Sequence, residues 1–371
     1  MGGAQRVRRG RAVCVTVWCA LLADCGHGEL FRAPDTGTSA PYFTGTPVRI
    51  TLNAGTDLWP TWLPDGSGIL YTSERLDRPD KDWCLVFLPP TGGRITRTVC
   101  ENTTVGEDSV QTFQSAAVSA DGRLMYARSS GLAGALGATS NRARSRSLVL
   151  GSVTSPLSVQ TLSPIGFTIP GVRTFGGLSQ INWLDTSTIV YRADFLGQVC
   201  LAQVANCPQA FIQSGLGIIV HTLGDAPSRV LLPGTDFASS VAVGASSDEL
   251  YFTLGGDARV YRYTISTGTI TVIYDFGAAG IARDIQVRGD KLVAVVGGPT
   301  VGFAFNVSAN TNLQIDTIGG EIHVVDLLAG TDATISEGRF YRHIALSPAG
   351  DRLVAESISA RLGDLWLFEV P

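Results

Sequence analysis

One pattern recurs six times along this chain of 371 residues: a short apolar strand, a polar turn carrying an aspartate, and a second β-rich strand. It is clearest in Trp59-Pro60-Thr61-Trp62-Leu63-Pro64-Asp65-Gly66, continuing to Ile69-Leu70-Tyr71, and in His343-Ile344-Ala345-Leu346-Ser347-Pro348-Ala349-Gly350-Asp351, continuing to Leu353-Val354-Ala355. The turn acids are Asp65, Asp121, Asp185, Asp248, Asp290 and Asp351, spaced 56, 64, 63, 42 and 61 residues apart. Apolar runs broken by Asp and Gly are the signature of β-hairpins. A repeat this small cannot bury its apolar surface alone and has to stack on its own copies.

A further strand pair follows the hairpin of each unit. Val260 to Thr264 with Ile270 to Ile273, turning at Thr267-Gly268, is one example; Ile322 to Val325 with Ala333 to Ile335 is another. Four strands per unit predict an all-β fold, a six-bladed β-propeller of four-stranded blades over residues 47–371. The last unit ends on Asp364-Leu365-Trp366-Leu367-Phe368-Glu369-Val370 and lacks an outer strand, whereas Val48 to Leu52 precedes the first unit without a blade of its own. Pairing that N-terminal strand into the last blade closes the ring and covers an exposed edge.

The motifs Trp62-Leu63-Pro64-Asp65-Gly66, Ser119-Ala120-Asp121-Gly122-Arg123-Leu124, Leu346 to Leu353 and Asp364-Leu365-Trp366 resemble the repeats of the TolB-like β-propeller family. The first, second and sixth units carry the resemblance best. It implies a propeller of the cell envelope, and it is specific for fold rather than function, because such propellers serve as binding proteins and as accessory domains of peptidases. The α/β domain that TolB itself carries ahead of its propeller has no counterpart among residues 1–46.

Residues 1–25 read as a leader. Arg6, Arg8, Arg9 and Arg11 precede Ala12 to Ala23, an uncharged run of 12 residues. That is short for a spanning helix, which needs about 20 residues, and fits the apolar region of a secretory signal. Leu22-Ala23-Asp24-Cys25-Gly26 resembles a bacterial lipobox, with Cys25 as the lipidated residue that would hold the protein to a membrane; simple cleavage, an uncleaved anchor and no export are the other readings. Residues 26–46 read as a flexible tether.

Four cysteines follow the leader: Cys84, Cys100, Cys200 and Cys207. Cys84 to Leu88 and Arg94 to Cys100 flank Pro89-Pro90-Thr91-Gly92-Gly93. A hairpin centred on Gly92 sets Cys84 opposite Cys100, which suits a disulfide worth about 3 kcal/mol for a loop of this size. Cys200 and Cys207 bracket a short loop and form the second expected disulfide. No Cys-x-x-Cys spacing supports a structural zinc site, and bonds of this kind persist outside a reducing cytosol. The expected location is the bacterial periplasm or outer surface.

Chemistry is sparse. The net charge of −4, with only two lysines, offers no basic field for nucleic acid. There is no Gly-x-Ser-x-Gly elbow and no P-loop ending. No metal, cofactor or catalytic residue is assigned. The turn aspartates read as structural corners, because Asp bonds its own turn backbone. Trp59, Trp62, Trp183 and Trp366 read as packing between blades. His221 and His323 fall inside third strands and read as packed or solvent-facing positions.

Two groups remain as binding candidates. Arg283, Asp284, Arg342 and His343 begin the inner strands of the last two blades and point to the central channel. Arg142, Arg144 and Arg146 alternate, so an extended segment lines them up as a cationic stripe; an exposed edge guarded by charge is the plainer reading. The function expected is non-enzymatic: a monomeric envelope scaffold that binds a protein or cell-wall component. The alternative is a propeller enzyme, of lactonase or glycan-acting type, with several acids and an ion at the channel.

Overall fold

The computed structural model describes residues 47–51, 55–74, 83–101, 107–108, 113–132, 145–163, 168–169, 172–198, 212–224, 228–297, 304–306, 311–313, 319–336, 340–358 and 363–371. They form six four-stranded antiparallel blades in a ring, a six-bladed β-propeller with no α-helix among the described residues. The inner strands are Asp57–Trp62, Gln114–Val118, Val172–Trp183, Ala238–Val243, Ile281–Arg288 and Tyr341–Leu346. Each pairs outward with the strand that follows its aspartate turn.

Every blade is sandwiched between two others, so its middle strands are buried on both faces. That is why Ile69-Leu70-Tyr71 and Cys84 to Leu88 read as unbroken apolar runs rather than as an alternation. Successive side chains leave a strand on opposite faces. Ile69 and Tyr71 pack with Val354, Leu365 and Leu367 of the last blade. Leu70 packs with Phe113, Leu124 and Tyr126 of the second. The core is thus six clusters, one in each gap between blades.

The spacing of the turns follows from what joins the second and third strands. Blade four uses residues 255–258 alone, which accounts for its short interval of 42 residues. Blade five carries an extra hairpin there, Ala304–Asn306 with Thr311–Leu313. Residues 199–211 and 133–144 make the corresponding connections in blades three and two. Cys200, Cys207, Arg142 and Arg144 therefore lie outside the described residues, as does Cys25. Arg146 lies in the strand Ser145–Ser152, where its backbone faces Ser129.

Cys84 and Cys100 are direct cross-strand partners and form a disulfide, with a Cα–Cα distance of 4.1 Å. The fourth strand of that blade is shorter than its sequence suggests, Arg97–Cys100, because the turn through Gly92 and Gly93 is wide.

The ring closes as expected. Val48 faces Leu367 and Arg49 faces Trp366. The Ile50 N–H donates to the Leu365 carbonyl at 2.8 Å. The Arg49 guanidinium binds the Asp364 carboxylate at 2.7 Å. A buried hydroxyl completes the clasp: the Leu365 N–H donates to Thr51 Oγ1 at 2.9 Å. The same device recurs in blade three, where the Ile218 N–H donates to Thr235, and in blade five, where the Ile322 N–H donates to Ser336. In each case a hydroxyl just past the fourth strand accepts from an amide of the third. Residues 48–51 therefore occupy the position of a fourth strand, although they lie over 300 residues from the strand they pair with.

Deleting residues 45–53 removes this clasp and bares the edge beside Leu365 to Phe368. Burial of one aliphatic side chain is worth about 1.5–3 kcal/mol, so loss of Ile50 and its neighbours should lower the melting temperature sharply or cause aggregation. Deleting residues 26–44 should cost little. Thermal unfolding of the two truncations checks this; equal stability would contradict closure through this strand.

Candidate functional site

The six inner strands converge on an axis, and their irregularities decide what faces it. Every one of them carries a register shift: between Leu58 and Thr61, Gln114 and Ala117, Ser179 and Asn182, Ala238 and Ser240, Ala282 and Asp284, and Arg342 and Ile344. A bulge of this kind re-aims a side chain and releases a backbone group from the ladder. Trp59, Ser115, Gln180 and His343 sit at equivalent places with φ of 49°, 50°, 51° and 45°. None is Gly or Asn, the residues that tolerate this region most easily. The repetition in four blades marks a shared device that turns one side chain per blade towards the axis.

Asp284 stands at the centre of this ring. Its Oδ1 accepts from Gln180 Nε2 at 3.1 Å, Ser240 Oγ at 3.0 Å and the Ile285 N–H at 2.9 Å. Its Oδ2 accepts from the Ile344 N–H, next to the bulged His343, at 2.9 Å. One carboxylate thus ties together blades three, four, five and six. Gln180 extends the tie, because its Oε1 accepts from the Val241 N–H at 3.1 Å. Burial pushes the Asp284 carboxyl above its ordinary range, against the pull of the His343 ring and the Ile344, Ser240 and Ile285 donors.

A second carboxylate lies off the axis. Glu356 is fully buried; its Oε1 accepts from Arg342 Nε at 2.6 Å and its Oε2 faces His343 Nδ1 at 2.7 Å. The His343 ring also lies 5.9 Å from that of Trp59. Arg283, Asp284, Arg342 and His343 line one cavity.

Two cavities open on the axis, one from each face of the ring, and both reach Trp59, Ser115, Gln180, Asp284 and His343. The first, about 290 Å³, lies towards the aspartate turns and is lined by Trp62, Trp183, Arg288 and Pro348 among others. The second, about 340 Å³, lies where the inner strands begin and is lined by Arg192, Arg283 and Arg342. Arg192 and Glu356 escape a reading confined to inner strands. Both sit on second strands, opposite a bulge or beside it.

The remaining sequence candidates have structural employment. Asp65 and Asp185 each accept from the backbone and hydroxyl of the serine two residues on, and Asp351 accepts from Ser347. Trp62 Nε1 donates to the Ala345 carbonyl and Trp183 Nε1 to that of Ala117, each across a gap between blades. His221 is buried against Tyr191, and burial, with the Arg229 charge, pulls its pKa down to about 4. His323 is bound by Asp332. Among the described residues, no group of three His, Cys, Asp or Glu side chains is placed to hold a metal ion.

Replacing Asp284 by Asn leaves one acceptor oxygen for four donors. The loss of hydrogen bonds to a charged, buried group should cost about 2 kcal/mol or more at neutral pH. The folded carboxyl titrates above the unfolded one, so its titration adds stability below the unfolded value and withdraws it as pH rises through the folded value. The deficit of D284N should accordingly narrow with rising pH. Urea unfolding of both proteins from acid to neutral pH reads this, and a small, pH-independent difference would contradict the tie.

No protein-family model matches the sequence, and no curated protein matches it either. Solved structures do. A gluconolactonase from Xanthomonas campestris aligns over 88% of this chain and 89% of its own, with a TM-score of 0.51 and 14% identity. A TolB protein from Agrobacterium tumefaciens aligns over 88% of this chain and 97% of its own, with a TM-score of 0.50 and 13% identity. Likeness at such identities is likeness of fold: the chain is a β-propeller similar in shape to an enzyme and to a TolB protein alike.

Proposed function

We propose that this chain is an exported, non-enzymatic binding propeller of a bacterial cell envelope, working as a monomer on a protein or cell-wall component. The observation that carries the reading is the employment of the carboxylate on the axis and of the one beside it. Asp284 spends its lone pairs on four donors of the protein itself, and Glu356 is held by Arg342 and His343. A general base or a metal ligand needs a lone pair turned towards the substrate or the ion. An axis whose acids serve as structural ties suits a rigid scaffold that presents loops and cavity mouths to a partner.

Export rests on the arginine-rich leader, the apolar run before Cys25 and the Cys84–Cys100 disulfide. In this reading Cys25 carries the lipid anchor, Cys200 and Cys207 form a second disulfide, and the stripe of Arg142, Arg144 and Arg146 adds a local positive surface. The gluconolactonase-like outline favours no chemistry by itself, and the lactonase reading differs in requiring turnover.

The test is expression of the full-length chain in a bacterial host with a C-terminal affinity tag. Fractionation should place it outside the cytoplasm with Cys84 and Cys100 oxidised. Capture from solubilised envelope should return a saturable partner, and glucono-lactone hydrolysis with added calcium or manganese should remain at the buffer rate. Cytoplasmic protein with free thiols would overturn the location, and chelator-sensitive lactone hydrolysis would overturn the binding reading.

A further inference from the structure

The cavity on the side of the aspartate turns is walled by the inner strands, and all six of those strands and all six turns lie among the described residues. At its inner end the axis is crossed by the tie of Asp284 to Gln180, Ser240 and the Ile344 N–H. A ligand entering from the turns therefore enters end-on. Among the described residues the lining carries one guanidinium, Arg288, and one carboxylate, that of Asp284. Such a lining favours an uncharged guest.

The polar side chains along the cavity differ in how far the protein uses them. Gln180 is spent: its amide donates to Asp284 and accepts from the Val241 N–H. Gln286 lies two residues beyond Asp284, on the same face of its strand. It is half-buried, and among the described residues its amide has no hydrogen-bond partner. The same holds for Ser115 Oγ. Asn182 is fixed, because its Nδ2 donates to the Gln180 carbonyl at 2.9 Å and to the Val241 carbonyl at 3.1 Å. That orientation leaves its Oδ1 as a positioned acceptor. Glu356 holds His343 by Nδ1, which leaves Nε2 for another partner.

Trp59 completes the set. Trp62 and Trp183 spend their indole N–H groups on carbonyls across the gaps between blades. Trp59 is half-buried on the axis at a φ of 49°, and among the described residues its N–H has no acceptor. A backbone held in so sparsely populated a region is characteristic of ligand sites.

We infer that this cavity binds the terminal sugar of an uncharged glycan, with Trp59, Ser115, Asn182, Gln286 and His343 as its contacts. The inference rests on the binding reading above and names the ligand class. A sugar ring combines an apolar C–H face, which suits an indole, with hydroxyls that both donate and accept. Asn182 Oδ1 and His343 Nε2 supply acceptors, Trp59 supplies a donor, and Gln286 and Ser115 supply both. The volume of about 290 Å³ is at the small end for ligand sites, as one inserted end group requires.

Isothermal titration of the full chain with cellobiose and with the β-1,4 disaccharide of N-acetylglucosamine tests this, against succinate and a capped tetra-alanine peptide. At least one disaccharide should bind at a single saturable site, with an affinity unchanged by salt, since the guest is neutral. Binding should alter the tryptophan fluorescence, and Trp59→Phe should abolish that change. Gln286→Ala should weaken binding about threefold to tenfold, the usual worth of a neutral hydrogen bond. It decides the matter should the Trp59 variant fail to fold. No binding of either disaccharide, tighter binding of succinate or of the peptide, or unchanged affinity in both variants would each overturn the site. Envelope capture that persists without sugar binding would overturn the glycan site alone, whereas chelator-sensitive lactone hydrolysis would overturn the binding reading alone.

Discussion

Each blade of this ring buries both faces, and the rest of the molecule answers to that demand. A sheet covered on one side tolerates polar residues on the other; here Leu70 and Tyr71 are consecutive and both buried, on opposite faces, against different blades. The consequence is circular. If any gap between blades opens, two apolar faces meet water at once. The gap between the first and last blades is filled by Trp62, Ile69 and Tyr71 of the first with Ile50, Ala345, Leu365 and Leu367 of the last, and the clasp of Thr51 on Leu365 holds the N-terminal strand in the last blade. The Cys84–Cys100 disulfide stiffens the outer half of the first blade, beside the same gap.

The axis faces the opposite problem. Inner strands converge there, and bulges release backbone N–H groups that no neighbouring strand can accept. Asp284 answers by accepting from the Ile285 and Ile344 amides as well as from Gln180 and Ser240. A buried carboxylate is normally a mark of chemistry. This one is explained by the donors around it, and the shift of its pKa has burial as its largest cause.

Much of this was legible in the residues. Strands buried on two faces announce themselves as apolar runs, and aspartate turns mark where they reverse. The Cys84–Cys100 pair and the closing strand at Val48 follow from counting residues about a turn and noticing a missing edge. The axis was legible only in part. Arg283, Asp284, Arg342 and His343 stand at the start of inner strands and could be singled out. The bulges could not, because Trp59, Ser115 and Gln180 adopt positive φ without the Gly or Asn that would betray it. Without the bulges, alternation along a strand assigns the wrong side chain to the channel. Arg192 and Glu356 sit on second strands that otherwise read as buried, and the bond from Gln180 to Asp284 spans 104 residues. Such pairings depend on how blades abut, which no local pattern encodes.

The central claim is that Asp284 is a structural tie among four blades, and native-state hydrogen exchange at the Ile344 amide tests it most directly. This N–H donates to Asp284 Oδ2 rather than to a strand partner. The account predicts that in the wild type it exchanges only with global unfolding, as core ladder amides do, and that in D284N it exchanges far faster while the Leu353 amide in the same blade remains protected. Rapid exchange at Ile344 in the wild type, or protection unchanged in D284N, would contradict it.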